Sequence, residues 1–230
     1  MHTARTRQTY NGAGLGGLVA ERAYRLLGRA VCLCGFEAMT LRVGQAIPAA
    51  AENGGVVCRF LDDQEIQLLA MDASYQLKQG FVDELLAHGD RCLAVLDGEK
   101  VASFTWYSSK PTRVTNEFAL HFEETGLVYM HKGFTHADYR GRRLYGLGIQ
   151  HALTQLAGAG AQGLIALVEL NNRGARRAMH RLGYVRAGRA CLFGRLGHYV
   201  SYGDAGWRAE RLSLRPRIAV TAHHPLDRAL

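Results

Sequence analysis

The stretch Thr135-His136-Ala137-Asp138-Tyr139-Arg140-Gly141-Arg142-Arg143 stands between a predicted strand, Leu127 to Thr135, and a predicted helix, Arg142 to Gly158. The first N–H groups of a helix find no carbonyl partner within it, and the helix dipole makes that end positive. A basic, glycine-containing turn at a helix start therefore favours a phosphate-binding loop, to which arginine side chains add charge-assisted hydrogen bonds. A basic helix start without a ligand is the alternative.

A second stretch, Glu169-Leu170-Asn171-Asn172-Arg173-Gly174-Ala175, lies at the end of the apolar strand predicted for Gly163 to Leu170. A short helix, Arg173 to Arg181, comes next and closes on Leu182-Gly183-Tyr184, where the glycine suits a left-handed helix stop. Either asparagine is a good helix cap, and capping alone is the alternative to a functional role.

The order of the predicted elements links the two stretches: from residue 90 onward it is strand, strand, strand, helix, strand, helix, strand. With this order they resemble the GNAT superfamily of acyl-CoA-dependent N-acetyltransferases. In that family an Arg-Gly loop opens the helix that holds the CoA pyrophosphate, and the pattern Asn-x-x-Ala…Leu-Gly-Phe/Tyr follows the next strand. Here the pattern reads Asn172-Arg173-Gly174-Ala175…Leu182-Gly183-Tyr184, beginning 32 residues after Arg140.

The resemblance covers about Val56 to Tyr202. It implies an α/β fold of the α+β kind, a GNAT fold with a mixed, mostly antiparallel central sheet flanked by helices. We expect a GNAT domain at residues 51–205 and an N-terminal extension at 1–50, with a helix (Leu18 to Val31) and a strand (Cys32 to Val43). A basic tail is expected at 206–230, loosely held from Arg208 onward.

The resemblance also implies a co-substrate, acetyl-CoA or another acyl-CoA, and no metal. The residues that it assigns to this co-substrate are Phe134, Thr135, Arg140, Gly141, Arg142, Arg143, Leu144, Tyr145, Asn172 and Ala175. Arg143 departs from the family pattern, because the family carries a small residue at this point of the loop. A shifted register, Arg143-x-x-Gly146-x-Gly148, fits the family letters better but leaves the following helix short.

Met179 stands where the family often carries a tyrosine that protonates the departing CoA thiolate. Methionine has no proton to give, so another acid is needed, or the thiolate takes its proton from water. Tyr184 is the candidate for this acid and Tyr145 is a second one. For both tyrosines, packing is the alternative role.

Amine acetylation requires a neutral amine, and therefore a base or a water path to one. His131 lies nine residues before the Arg-Gly pair, where some amine acetyltransferases have a histidine that relays the proton through water. An imidazole suits this role because its unperturbed pKa is about 6.5. A structural histidine paired with Glu123 or Glu124 is the alternative. Glu169 is the second base candidate, with a salt bridge to Arg173 as its alternative.

Aromatic residues on two predicted strands are the candidates for an acceptor pocket. Strand alternation places Tyr129, His131 and Gly133 on one face. Trp106 and Tyr107 lie on the preceding strand, and with Tyr129 they are expected to line the pocket, although aromatic residues in strands are more often core.

The composition indicates which cellular compartment and which kinds of ligand to expect. All but four of the 28 basic residues are arginine and the formal net charge is +8, which favours an anionic ligand, with solubility as the alternative. The five cysteines form no CxxC pair and His223-His224 has no third ligand nearby, so we expect no disulfide framework, no zinc site and a cytoplasmic protein. No run reaches the ~18–20 apolar residues of a membrane span. No nucleic-acid motif accompanies the charge.

Three functions are open at this point. The first is an acetyl-CoA-dependent N-acetyltransferase whose acceptor is the primary amine of a small molecule, an amino sugar or a protein. The second is an enzyme like the N-acyl amino acid and acyl-homoserine lactone synthases, which takes long acyl chains from acyl-CoA or from acyl carrier protein as a partner. The third is a degenerate GNAT domain that binds acyl-CoA without turnover. A homodimer formed through residues 1–50 is also open.

Overall fold

The structure is a computed structural model, and it describes residues 34–45, 55–115, 118–122, 125–195 and 198–216. The predicted helix at Leu18 to Val31 and the glutamates Glu123 and Glu124 lie outside the described residues. Within the described residues, no helix is both long and apolar enough to cross a membrane.

Eight strands form the main sheet. In chain order they are β1 (Cys34–Arg42), β2 (Val57–Phe60), β3 (Arg91–Asp97), β4 (Lys100–Ser108), β7 (Leu127–Thr135), β8 (Gly163–Glu169), β9 (Val185–Arg195) and β10 (His198–Gly203). Their spatial order is β10-β9-β1-β8-β7-β4-β3-β2. The pair β7–β8 is parallel and the other pairs of this sheet are antiparallel, so the expected mixed, mostly antiparallel sheet is confirmed.

A small second sheet and five helices complete the described fold. The small sheet has the order β11-β6-β5 and consists of β5 (Thr112–Arg113), β6 (Phe118–His121) and β11 (Ser213–Pro216). The helices are α1 (Asp63–Met71), α2 (Gln79–His88), α3 (Leu144–Gly158), α4 (Arg173–Arg181) and α5 (Ala205–Ala209). Helix α1 begins with a capping box, because the Asp62 carboxylate accepts from the Glu65 N–H and the Glu65 carboxylate accepts from the Asp62 N–H.

The helices divide between the two faces of the main sheet. On one face, α3 and α4 bury Ile149, Leu153 and Met179 against Met39 and other strand residues. On the opposite face, α1 and α2 cover the half of the sheet that contains β3 and β4. The small sheet covers the other half of that face, over β1, β8 and β9. Each strand therefore alternates between two cores, and the position of a side chain in its strand decides which of them it enters.

Strand β1 lies near the middle of the main sheet, between β8 and β9, and is antiparallel to both. Ala38, Met39 and Leu41 are fully buried in it. The strand predicted for Cys32 to Val43 is thus confirmed, in a central position of the sheet. Glu37 of this strand is also buried and is held by two arginines, Arg189 from β9 and Arg176 from α4.

The segment after β10 is folded as far as Pro216. Trp207, Leu212 and Leu214 are buried in the core beneath the small sheet. The prediction of a loosely held segment from Arg208 onward is therefore wrong for the residues up to Pro216. The alternation of apolar and polar residues in β11 lasts only four residues, and the neighbouring arginines concealed it in the sequence.

Candidate functional site

A cleft opens in the main sheet where β7 and β8 separate. The two strands pair in parallel from Leu127 and Gly163 to Met130 and Ala166, and this pairing then ends although both strands continue. Beyond this point no strand of the described residues pairs with the edge of β7 that faces β8, so its backbone groups can pair with an extended ligand.

A β-bulge at Lys132 changes the direction of the side chains in the cleft. Phe104 pairs with Phe134 and Trp106 pairs with His131, so β7 has one residue more than β4 between these pairs. Lys132 has a φ of 45°, in the left-handed region. The predicted grouping of Tyr129, His131 and Gly133 on one face is therefore wrong for Gly133, which the extra residue turns towards α3.

The loop between β7 and α3 combines a turn of 3-10 helix, Ala137–Tyr139, with two left-handed residues, Gly141 (φ 81°) and Arg143 (φ 59°). Among the described residues, no hydrogen-bond acceptor meets the backbone N–H groups of residues 141–145. The next two N–H groups, at 146 and 147, both donate to the carbonyl of Arg143. Free N–H groups on such a turn, at the positive end of a 15-residue helix, are suited to binding an anion.

Three exposed arginine side chains surround this loop. The Nε of Arg140 lies 3.4 Å from the carbonyl oxygen of Thr135. Arg142 lies 3.9 Å from the Asp97 carboxylate and 5.1 Å from the centre of the Tyr139 ring. Arg143 takes the left-handed conformation that a glycine adopts without strain, so the loop keeps its shape although a bulky residue occupies the position.

The two glycines of the shifted register lie within α3 and are buried. A Cβ at Gly146 would lie 2.6 Å from Leu182 Cδ2, and one at Gly148 would lie 3.0 Å from Val95 Cγ2. These glycines therefore serve the close packing of α3 against the sheet and against the end of α4.

Helix α4 begins at Asn172, whose side-chain oxygen accepts from the N–H of Ala175 at 3.0 Å. The predicted cap is confirmed. Met179 of this helix is buried in the core next to Tyr184.

Three tyrosines, Tyr107, Tyr145 and Tyr184, share the core on the α3–α4 face below the cleft. The Tyr184 hydroxyl donates to the sulphur of Met130 at 3.2 Å. The Tyr107 hydroxyl is buried and has no hydrogen-bond partner among the described residues. Burial raises the pKa of Tyr145 to about 12 and raises the pKa values of Tyr107 and Tyr184 well above the usual value. All three phenols are therefore protonated at neutral pH.

His131 lies on the opposite face and forms a hydrogen bond with Asp90, a residue from another part of the chain. Its Nε2 is 3.0 Å from Oδ2 of Asp90, and its ring stacks on Tyr129 with centroids 5.4 Å apart. The other carboxylate oxygen of Asp90 is 2.6 Å from Nδ1 of His88. Burial alone would raise the pKa of the Asp90 carboxyl, but hydrogen bonds from His131, Ser108 and His88 outweigh it and hold the pKa below its usual value.

The remaining predicted residues are distributed around this centre. Trp106 and Tyr107 are buried on opposite faces of β4, and Tyr129 is buried beside His131. The exposed Glu169 pairs with Phe36 of β1, so it lies on the same face of the sheet as His131, at the end of the strand across the cleft. Among the described residues, no group of three metal-ligating side chains is close enough to hold an ion.

Comparison with known proteins identifies the architecture. A sequence model described as the acetyltransferase (GNAT) family matches residues 57–184, more than half of the chain. Among curated proteins, none matches in sequence.

Solved structures give the same architecture at low sequence identity. The chain is similar to an acetyltransferase of the GNAT family from Colwellia psychrerythraea, with 14% identity, a TM-score of 0.50, and coverage of 76% of this chain and 62% of that one. It is also similar to a GCN5-related N-acetyltransferase from Sphaerobacter thermophilus, with 14% identity, a TM-score of 0.48, and coverage of 80% of this chain and 56% of that one. A GCN5-related N-acetyltransferase from Kribbella flavida is similar with 17% identity, a TM-score of 0.43, and coverage of 83% of this chain and 66% of that one. The chain thus spans less than two thirds of the length of the first two. The chain belongs to the GNAT acetyltransferase family.

Proposed function

We propose that this chain transfers an acetyl group from acetyl-CoA to the primary amine of a small molecule, an amino sugar or a protein. The observation that carries the proposal is the loop at residues 141–145, whose free backbone N–H groups face outward beside Arg140, Arg142 and Arg143. A diphosphate is the ligand that such a loop suits best, because it offers several acceptor oxygens and at least two negative charges.

The cleft next to this loop suits the rest of an acyl-CoA. An extended pantetheine arm would pair with the open edge of β7 around Phe134 and Thr135, as an added strand does. Leu144 and Tyr145 would supply N–H groups at the start of α3, and Asn172 and Ala175 would border the cleft from α4. The thioester would then lie at the bulge, where a backbone N–H polarises its carbonyl.

Two groups of side chains would handle the protons. His131 would take the proton of the acceptor ammonium, directly or through water, so that the neutral nitrogen attacks the thioester carbon. Glu169 is the second base, from the same face of the sheet. When the C–S bond breaks, the Tyr184 hydroxyl would donate a hydrogen bond to the thiolate, since its present acceptor, the Met130 thioether, is a weak one. Tyr145 is the neighbouring donor.

Calorimetry with CoA tests the donor site. The variant Arg140→Ala/Gly141→Val removes one guanidinium and forces a branched residue into a left-handed conformation, so it is expected to weaken CoA binding at least tenfold without loss of the fold. Arg208→Ala, which changes an exposed arginine at the other end of the sheet, is the matched control and keeps wild-type affinity. Wild-type protein that binds no CoA at high micromolar concentration would exclude the proposal.

A second assay separates the three functions. Release of CoA from acetyl-CoA in the presence of a panel of amines supports the acetyltransferase. Turnover only with long-chain acyl groups, or only with acyl carrier protein, supports a synthase. Binding of CoA without release by any amine supports a degenerate domain, for which the buried Met179 in place of a catalytic tyrosine is the structural argument.

A further inference from the structure

Asp90 is a buried carboxylate that contacts His131, the proposed base. Its side chain is 1% exposed and bridges two histidines, with Oδ2 at 3.0 Å from Nε2 of His131 and Oδ1 at 2.6 Å from Nδ1 of His88. We propose that Asp90 is the positioning residue of the base: it fixes the tautomer of His131 that carries the proton on Nε2 and leaves Nδ1 free to accept the proton of the amine. The inference rests on the proposed acetyltransferase function.

Three elements bring this arrangement together. Asp90 stands between the end of α2 and the start of β3, His88 is the last residue of α2, and His131 lies two strands away at the point where β7 leaves β8. Gly89 ends α2 in a left-handed conformation, so the chain turns out of the helix at this point. Asp90 then lies where its carboxylate contacts His131 of β7. The side chain of His131 is itself only 10% exposed, so the pair is shielded from bulk water.

Among the described residues, Asp90 is the sole carboxylate in contact with His131. His88 approaches from α2, and Ser108 lies at the end of β4, 3.5 Å from His88. Lys110 donates through Nζ to the carbonyl of His88 at 3.0 Å, and Tyr129 stacks on the His131 ring. These neighbours are neutral or basic, and the hydrogen bonds from His131, Ser108 and His88 hold the pKa of the Asp90 carboxyl below its usual value in spite of its burial.

An ionised Asp90 accounts for how His131 acts as a base in a shielded cleft. The proton leaves the acceptor ammonium and binds Nδ1 of His131, which becomes an imidazolium. The Nε2 proton stays on nitrogen and donates to Asp90 Oδ2, so the carboxylate balances the new charge without being protonated. The Nδ1 proton then passes to water. As the C–S bond breaks, the neutral ring takes the second proton from the attacking nitrogen and passes it to the departing thiolate, which leaves the amide, the CoA thiol and the neutral tautomer. Without the carboxylate, no acceptor holds the proton on Nε2 and the imidazolium loses its counter-charge.

The test compares Asp90→Asn with Asp83→Asn, a matched change of an exposed aspartate on α2. In Asp90→Asn we expect kcat to fall by a factor of roughly 10²–10⁴, the range for loss of base function, while the CoA Kd stays within about threefold. The pH profile of kcat/KM is expected to differ from that of the wild type, because the imidazolium has lost its counter-charge. Asp90→Glu should regain part of the rate, and Asp83→Asn should match the wild type.

Nitrogen-15 NMR of the histidine rings gives a readout that needs neither turnover nor a variant. Wild-type His131 in its neutral form is expected to show a protonated Nε2 and a bare Nδ1, and Asp90→Asn is expected to show a weaker preference for this tautomer. A wild-type His131 protonated on Nδ1 would overturn the inference even if the variants fail to fold, as would an Asp90→Asn enzyme with the wild-type rate and pH profile. If the tautomer is as expected but the protein neither binds CoA nor acetylates any amine, the proposed function fails and the Asp90–His131 coupling stands.

Discussion

The ring of Tyr145 fills the space that a side chain at Gly133 would need: a Cβ at Gly133 would come within 2.5 Å of both Cε2 and Oη of Tyr145. The first turn of α3 therefore packs directly on the backbone of β7, just past the bulge at Lys132. Because the loop between β7 and α3 joins these two elements, this contact sets the position of that loop relative to the open edge of β7.

Gly133→Ala is expected to disturb this contact. The added methyl group forces the Tyr145 ring or the β7 backbone to move, at a cost of about 1–3 kcal/mol in the free energy of unfolding, and CoA binding should weaken as the loop shifts. Gly80→Ala, in α2 with open space around the Cβ, is the control and should gain about 0.5–1 kcal/mol. Thermal denaturation measures both. The double variant Gly133→Ala/Tyr145→Ala should relieve the clash, and equal stability of Gly133→Ala and wild type would contradict the packing argument.

Arg143→Gly separates the strain at the helix start from the charge. Releasing a left-handed arginine should raise the free energy of unfolding by roughly 0.5–1 kcal/mol, after the entropy cost of glycine is subtracted. The same change should weaken CoA binding and flatten its dependence on salt, because one phosphate contact is lost. Arg142→Gly is the control: Arg142 has no positive φ, so its replacement should weaken binding and lower stability as well.

Tyr184→Phe tests the proposed hydrogen bond to the thiolate. Its hydroxyl donates to a thioether, so stability should change by less than about 1 kcal/mol, whereas kcat should fall at least tenfold with little change in CoA affinity. Tyr107→Phe removes a buried hydroxyl that has no partner among the described residues and should stabilise the fold by about 1 kcal/mol. Steady-state kinetics and chemical denaturation distinguish the two variants. An unchanged kcat in Tyr184→Phe would show that the thiolate does not need the Tyr184 hydroxyl and takes its proton from water.

In Glu65→Gln, the free energy of unfolding should depend less on pH in the acid range. A hydrogen bond from Arg59, whose Nη1 lies 2.6 Å away, and one from the Asp62 N–H lower the pKa of Glu65 to about 2. Since the folded-state pKa is the lower one, the stabilisation is complete above the unfolded-state pKa of about 4.3 and is lost as the pH falls towards 2. Glutamine keeps the capping box, so thermal midpoints of the two proteins should differ modestly at pH 7 and converge near pH 2. A constant difference across this range would contradict the assignment.

Glu37→Ala tests how strongly β1 is tied to its neighbours. The Glu37 carboxylate lies 2.9 Å from Arg189 and 3.6 Å from Arg176, whose Nε is buried and has no hydrogen-bond partner in the part of the chain that the structure describes. Removing it should cost about 2–3 kcal/mol, somewhat less than for a fully buried pair because Arg189 is half exposed. The exposed pair Glu84–Arg113 offers the control, since Glu84→Ala should cost less than about 1 kcal/mol by denaturant unfolding.

Local patterns predicted most of the elements around the cleft. The strand before the loop, the two helices that follow, and the cap at Asn172 all appear within a few residues of their predicted bounds. These features depend on residues close together in the chain: hydrophobic periodicity, a capping side chain and a glycine stop.

Features that depend on distant residues were missed. The bulge at Lys132 is visible only in the pairing of β7 with β4, because Lys132-Gly133 by itself continues the alternation of a regular strand. Gly89-Asp90 by itself is typical of a turn, and the contact of Asp90 with His131 depends on a residue of another strand. The place of β1 depends on pairing with β8 and β9, which no local pattern contains.

The position of β1 also imposes an order on folding. Phe36 pairs with Glu169 and Ala190, so β1 stays without its partners until well over a hundred further residues have been made. Until then both edges of β1 are unpaired, and closure of such long loops is slow. In a nascent chain β1 is therefore open to chaperones and to pairing with another copy of itself.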